Sequence, residues 1–221
     1  MQNVYITKAS KFLPNQPIQN DEMEDFLGMI NQLPSKARRI VLRNNGIKTR
    51  YYALNKNGEV THSNAELTKN AIEGLFYQGF TKNQIEVLSC GTSTPDLLLP
   101  SHAAMVHGLL NNQCSVELNS SSGVCNSGMN ALKFGYLSVK SSNSINAVCS
   151  GSERVSTWMK AEKFENEIEN LKELEEQPII AFKKDFLRWM LSDGAAAFLL
   201  QNQPNENELS LKIEWMESYS Y

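Results

Sequence analysis

The chain has 221 residues, of which 41% are apolar and 20% charged, the balance of a globular protein long enough to bury a sizeable core. Its formal net charge of −3 gives no electrostatic reason to bind nucleic acid or an anionic membrane surface. No apolar run approaches the roughly 18 residues of a membrane-spanning helix, and residues 1–10 lack the continuous apolar stretch of a secretory signal.

Strand-like and helical patterns alternate along the chain. Val4 and Ile6 alternate over residues 3–7, which predicts a short strand. Leu67, Ala71, Ile72, Leu75 and Phe76 share one helical face over 66–80, with Ser63 or Asn64 placed to cap it. Residues 85–90 read as a buried strand ended by Gly91 and the Thr92-Ser93-Thr94-Pro95 turn. A helix is expected over 101–110 after Pro100, a strand over 114–118, and a serine-rich bend over 119–123. A long helix over 125–140 carries Met129, Leu132 and Leu137, and a strand follows over 145–151. Such alternation predicts right-handed βαβ crossovers and a parallel sheet covered on both faces.

The end of the chain breaks the rhythm. An apolar strand over 195–200, a turn over 202–207 and alternating Leu211, Ile213 and Trp215 predict a hairpin that closes the sheet with an antiparallel strand. Residues 160–177 are heavily charged, with Phe164, Ile168, Leu171 and Leu174 at helical spacing, as in an amphipathic surface helix. No linker or repeat divides the sequence, so residues 1–221 are read as a single domain with a charged helical insertion at about 158–190.

Four cysteines, Cys90, Cys114, Cys125 and Cys149, lie far apart, with no CxxC pair and no histidine at metal-ligand spacing. That predicts a reduced cytoplasmic protein with no metal. Cys90, Cys114 and Cys149 fall inside predicted strands, where a thiol acts as a small apolar group. Cys125 differs. It follows Ser120-Ser121-Ser122-Gly123-Val124 at the start of a long predicted helix. Free backbone N–H groups and the helix dipole favour negative charge there, and small neighbours leave room for a substrate. Spacing alone leaves two readings open, a nucleophile or a buried packing thiol.

Four blocks in order carry a resemblance to a known family. They are Asn45-Gly46-Ile47-Lys48-Thr49-Arg50, Gly91-Thr92-Ser93-Thr94-Pro95-Asp96 with Pro100-Ser101, the segment around Cys125, and Leu191-Ser192-Asp193-Gly194-Ala195-Ala196-Ala197. The chain resembles the N-terminal half of a β-ketoacyl-(acyl carrier protein) synthase III of the thiolase superfamily. Asn126-Ser127-Gly128 and residues 188–194 are similar to a branch that condenses β-ketoacyl units in aryl-polyene or dialkylresorcinol synthesis.

The resemblance implies a thiolase-like α/β half-fold. Its mixed five-stranded sheet would be mostly parallel, with one antiparallel strand and helices on both faces. It also implies that Cys125 takes an acyl group as a thioester. A malonyl thioester then loses carbon dioxide, or a β-ketoacyl thioester serves as the extender, and the carbanion attacks that acyl group in a Claisen condensation. Partners would be thioesters of acyl carrier protein or coenzyme A, with no other cofactor. Leu99 matches a position that reaches across a dimer interface to the partner's acyl tunnel. Asp193-Gly194 matches a structural turn and not a catalytic element.

The match also departs from the family. Ile40 and Asn44 stand where a Trp and an Arg clamp the adenine of coenzyme A. Arg38, Arg39 and Arg43 are left as contacts for a carrier protein or its pantetheine phosphate. None of His62, His102 and His107 matches the family's catalytic histidine, which lies with its asparagine in the C-terminal half. Pairing is therefore expected, as a homodimer or with a complementary C-terminal-half chain. The alternative is a non-catalytic or partial subunit that binds acyl chains or carrier protein.

Overall fold

The computed structural model describes residues 2–165 and 187–219. These group into two compact units, one of Met1–Leu13, Ser63–Glu153 and Gly194–Tyr221, the other of Pro14–His62 and Arg154–Asp193.

The first unit is built on a sheet of six strands: β1 (Tyr5–Phe12), β4 (Val87–Gly91), β5 (Glu117–Ser121), β6 (Asn146–Glu153), β7 (Gly194–Gln201) and β8 (Leu211–Lys212). Their order across the sheet is β5-β4-β6-β7-β1-β8. The pairs β4/β5 and β4/β6 are parallel, and β7 runs antiparallel to both β6 and β1. The sheet thus has six strands where the resemblance implies five. The extra one is β8, and it corrects the expected hairpin. β7 already has neighbours on both edges, so the returning chain pairs with the free edge of β1 instead, through Tyr5 and Ile6. Only Leu211 and Lys212 form strand there, followed by a bond from the Ile213 N–H to the Val4 carbonyl.

Strand periodicity sorts the core onto two faces. Leu88 and Cys90 of β4, Val148 of β6, and Ala195, Ala197 and Leu199 of β7 meet α3 (Asn64–Glu73) and α4 (His102–Leu110). Val87, Ala147, Cys149 and Leu200 point the other way, onto Leu132, Tyr136 and Val139 of α5 (Ser127–Lys140). Helices therefore cover both faces, as the alternating pattern predicts.

The start of α3 is capped twice. The Ser63 hydroxyl accepts from the Glu66 N–H while the Glu66 carboxylate accepts from the Ser63 N–H at 2.7 Å. Asp96, far along the chain, accepts from the Asn64 and Ala65 N–H groups at 2.9 and 2.8 Å. A carboxylate on a helix N-terminus is a charge-assisted cap. Asp96→Ala should therefore lower stability by about 2 kcal/mol. The check is urea denaturation, and an unchanged midpoint would contradict it.

In the second unit β2 (Ile18–Gln19) pairs antiparallel with β3 (Thr49–Arg50) beside α1 (Met23–Leu27), α2 (Lys36–Asn45) and the short α6 (Glu162–Glu165). Its core holds Met23, Leu27, Val41, Leu42, Tyr52, Leu54 and Trp189. The amphipathic helix expected over 160–177, with Ile168, Leu171 and Leu174, falls mostly outside the described residues, as does much of the 158–190 insertion.

β1 runs on to Phe12, past the strand predicted over 3–7, and both ends of β5 differ from the pattern. β5 begins at Glu117, so Cys114 lies outside it and is exposed, correcting its assignment to a strand. The serine-rich segment read as a bend is strand as far as Ser121, because parallel pairing with β4 continues to Gly91. Register overrides the weak strand preference of serine and asparagine there.

Candidate functional site

Cys125 sits where β4, β5 and α5 converge. β5 ends at Ser121, a turn follows, and Val124–Asn126 forms one 3-10 turn that runs directly into α5. Cys125 is exposed in this chain, unlike Cys90 and Cys149.

Val124 adopts a φ of +50°, a left-handed conformation that a β-branched residue rarely takes. Such strain costs on the order of 1–3 kcal/mol and persists only where surrounding bonds determine it. Here the Ser127 hydroxyl donates to the Val124 carbonyl at 2.7 Å, and the Asn126 N–H donates to the Gly123 carbonyl at 2.9 Å. The Asn130 side-chain amide donates to the Ser122 carbonyl at 3.1 Å.

The helix behind this turn lies close against the sheet because glycines face it. A Cβ at Gly91 would overlap the Ser127 carbonyl and come within 2.8 Å of the Gly128 nitrogen. A Cβ at Gly128 would lie 3.3 Å from the Gly151 Cα, and one at Gly135 would overlap the Cys149 sulfur. These contacts bring the thiol-bearing end of α5 to the carboxyl ends of the parallel strands β4 and β6, where open α/β sheets commonly carry their sites.

The other cysteines are differently placed. Burial pushes the Cys90 thiol up to about 12 and the Cys149 thiol up as well, so neither forms a thiolate at neutral pH. His102 is buried, with Nε2 beside the hydroxyls of Thr68 at 3.1 Å and Ser152 at 3.4 Å. Burial drives its pKa down to about 4, against an upward pull from Asp96. It is a neutral packing histidine, tied into the core.

Leu99 is highly exposed at 85%, beside the likewise exposed Leu97 and Leu98. Arg38, Arg39 and Arg43 lie on α2 in the second unit. Arg38 is committed to structure, paired with the buried Glu24 at 2.8 Å and with its guanidinium 6.0 Å from the centre of the Trp189 ring. Arg39 and Arg43 are exposed, as are Ile40 and Asn44. Asp193 accepts from the Ala53 and Ser156 N–H groups and from the Ser156 hydroxyl, and burial raises its pKa. That is the expected structural turn.

Sequence reasoning missed Glu153, the last residue of β6. Its carboxylate gathers the Thr92-Ser93-Thr94 turn: it accepts from the Ser93 N–H at 2.8 Å and the Thr94 hydroxyl at 2.6 Å. The available signal was a run of small hydroxyl residues followed, much later, by one carboxylate at a strand end. Among the described residues no group of His, Cys, Asp and Glu side chains is placed to hold a metal, and no helix is long and apolar enough to cross a membrane.

No family model and no curated protein matches the sequence. Solved structures do match the fold. A 3-oxoacyl-(acyl carrier protein) synthase III, FabH, from Xanthomonas oryzae pv. oryzae superposes with a TM-score of 0.70 at 18% identity, over 90% of this chain and 56% of that one. A Xanthomonas campestris OleA variant with bound lauric acid and lauroyl-CoA gives 0.68 at 15% identity, over 90% and 56%. The tetronic acid condensing enzyme AbyA1 gives 0.67 at 21% identity, over 92% and 54%. The chain thus spans about half the length of the solved chains that it matches. Over the matched region it has the α/β fold of these solved chains, 3-oxoacyl-(acyl carrier protein) synthase III among them.

Proposed function

We propose that this chain is the thiol-bearing half of a decarboxylative condensing enzyme of the synthase III type, with Cys125 as its acyl acceptor. The observation that carries this reading is the exposed thiol on a strained turn at the head of α5, in a fold shared with such enzymes. In the loading step the Cys125 sulfur attacks the carbonyl carbon of an acyl thioester. The new C–S bond forms as the donor's C–S bond breaks, and the proton passes to the departing thiol of acyl carrier protein or coenzyme A. In the second step the extender becomes a carbanion: a malonyl thioester releases carbon dioxide, whereas a β-ketoacyl thioester gives up its C2 proton to a base. That carbanion attacks the acyl-cysteine, forming a C–C bond and returning the cysteine sulfur, which takes up a proton.

His102 is locked in the core, so the decarboxylating groups come from a complementary C-terminal half, while a second copy of this chain is the other candidate for pairing. Exposed Met129 and Leu137 on α5, and exposed Leu118 on β5, support such pairing, since uncovered apolar surface costs about 25 cal/mol per Å². Leu99 is assigned to the acyl tunnel of a pairing subunit, and Arg39 and Arg43, with Arg38 behind them, to the carrier's phosphate. A cytoplasmic setting follows from the same reading.

The second reading, a subunit that binds acyl chains or carrier protein without turnover, is favoured by the commitment of His102 to Thr68 and Ser152. Intact-protein mass decides between them. After incubation with acyl carrier protein and coenzyme A thioesters, a gain equal to the acyl group is expected in the wild type and none in Cys125→Ala. A folded wild type that gains no mass from any donor would leave only the binding role.

A further inference from the structure

We propose that Glu153 is a positioning residue for Cys125, acting through Ser93 and Ser127 on the strained turn. This rests on the reading of Cys125 as acyl acceptor. The route is a continuous series of directed hydrogen bonds within the first unit.

The Ser127 hydroxyl has one proton, and it is spent on the Val124 carbonyl at 2.7 Å. In the contact between the Ser93 and Ser127 hydroxyls at 2.9 Å, Ser93 is therefore the donor. Ser93 is in turn fixed through its backbone, because its N–H donates to Glu153 Oε1 at 2.8 Å. Glu153 Oε2 accepts from the flanking hydroxyls, Thr94 at 2.6 Å and Thr92 at 3.4 Å. One carboxylate thus holds three successive residues of the turn after β4, and the middle one reaches the buried Ser127 at the head of α5.

The series ends on a backbone carbonyl, which neither gives nor takes a proton at neutral pH. It is not a proton relay. Its role is geometric: it holds Val124 at positive φ, a conformation that the residue alone would abandon, and so fixes where the next side chain points. Ionised acceptors make the stronger bonds, which explains a carboxylate at the root of the series.

The test uses the whole chain and its own cysteines. Cys114 is exposed and lies outside this network, while Cys90 and Cys149 are buried and report unfolding if they become labelled. The ratio of iodoacetamide alkylation at Cys125 to that at Cys114 is measured in wild type, Glu153→Ala, Glu153→Gln and Ser93→Ala. Acylation of Cys125 by carrier-protein thioesters is followed in parallel. The glutamine amide still accepts from the Ser93 N–H and donates to the Thr94 hydroxyl, so Glu153→Gln should stay within twofold of wild type.

Glu153→Ala should lower the alkylation ratio at least threefold. It should also lower the maximal acylation rate at least fivefold, with the half-saturating donor concentration within twofold. Ser93→Ala should follow it, and decides alone if Glu153→Ala exposes Cys90 and Cys149. An unchanged alkylation ratio in a folded alanine variant overturns the proposal, and so does an equal loss in Glu153→Gln. If the wild type is alkylated at Cys125 but never acylated, the acyl-acceptor reading falls and the ratio still decides the positioning role.

Discussion

Gly135→Ala is expected to cost about 3 kcal/mol of stability, and Cys149→Ala in the same chain should recover much of that loss. Gly135 faces the sheet from α5, and a Cβ there would overlap the Cys149 sulfur and come to 3.0 Å from the Ala147 Cβ. Both obstacles are fully buried in the core between α5 and the sheet. The interior is packed to crystal-like density, so the helix must lift or the strand must shift. Removing the sulfur by Cys149→Ala opens the needed volume, although alone it costs about 1 kcal/mol by leaving a gap. The two changes should therefore be non-additive by at least about 1.5 kcal/mol in a double-mutant cycle. Urea denaturation of the four proteins measures this, and simple additivity would refute the close approach. Gly91→Ala has no such rescue, since the atoms in its way are backbone atoms of Ser127 and Gly128. Its expected cost is about 4 kcal/mol or more, the range reached only by overpacking or comparable disruptions of a core.

Acidification should destabilise the fold over a window set by His102. In the unfolded chain an imidazole titrates near the usual 6.5, whereas burial holds His102 at about 4 in the folded state. Between these values the unfolded state takes up a proton that the folded state refuses, so stability falls as pH drops from about 6.5 towards 4. The full effect is about 3 kcal/mol, since each tenfold change in proton affinity is worth about 1.4 kcal/mol. Asp193 acts in the opposite sense, because its raised pKa lets the folded state hold a proton that the unfolded chain has released. His102→Asn separates the two. The variant should lose the downward slope in this window and keep the rest of the profile. A slope unchanged by the substitution would show that other groups carry the acid sensitivity.

The architecture is legible where packing follows local pattern. The face of Leu67, Ala71 and Ile72 is buried on α3, and the strand read over 145–151 is β6, Asn146–Glu153. Cys125 is legible as a helix-start thiol because small residues and a long apolar period flank it. What escapes the sequence depends on contacts distant along the chain. β8 pairs with β1 because β7 has no free edge, a fact of topology that no local pattern contains. Val124 is a poor candidate for positive φ on propensity, so the strained turn is imposed by Ser127 and its neighbours. Glu153 goes unseen because its partners lie some 60 residues earlier. Charge alone places Arg38 among the free surface arginines, whereas Glu24 and Trp189 draw it into the second unit's packing.

The position of β1 has a consequence for how the protein is made. Residues 5–12 are made before the rest of this sheet, yet their partner on one side is β7, running from Gly194 to Gln201. At about 5–20 residues per second, synthesis keeps the first strand waiting roughly 10–40 seconds for that partner. Meanwhile β4, β5 and β6 can join in order of appearance with α4 and α5 between them. The N-terminal strand is then the last large element to be recruited. Until it is, an edge with Val4 and Ile6 is open to chaperones and to wrong partners alike.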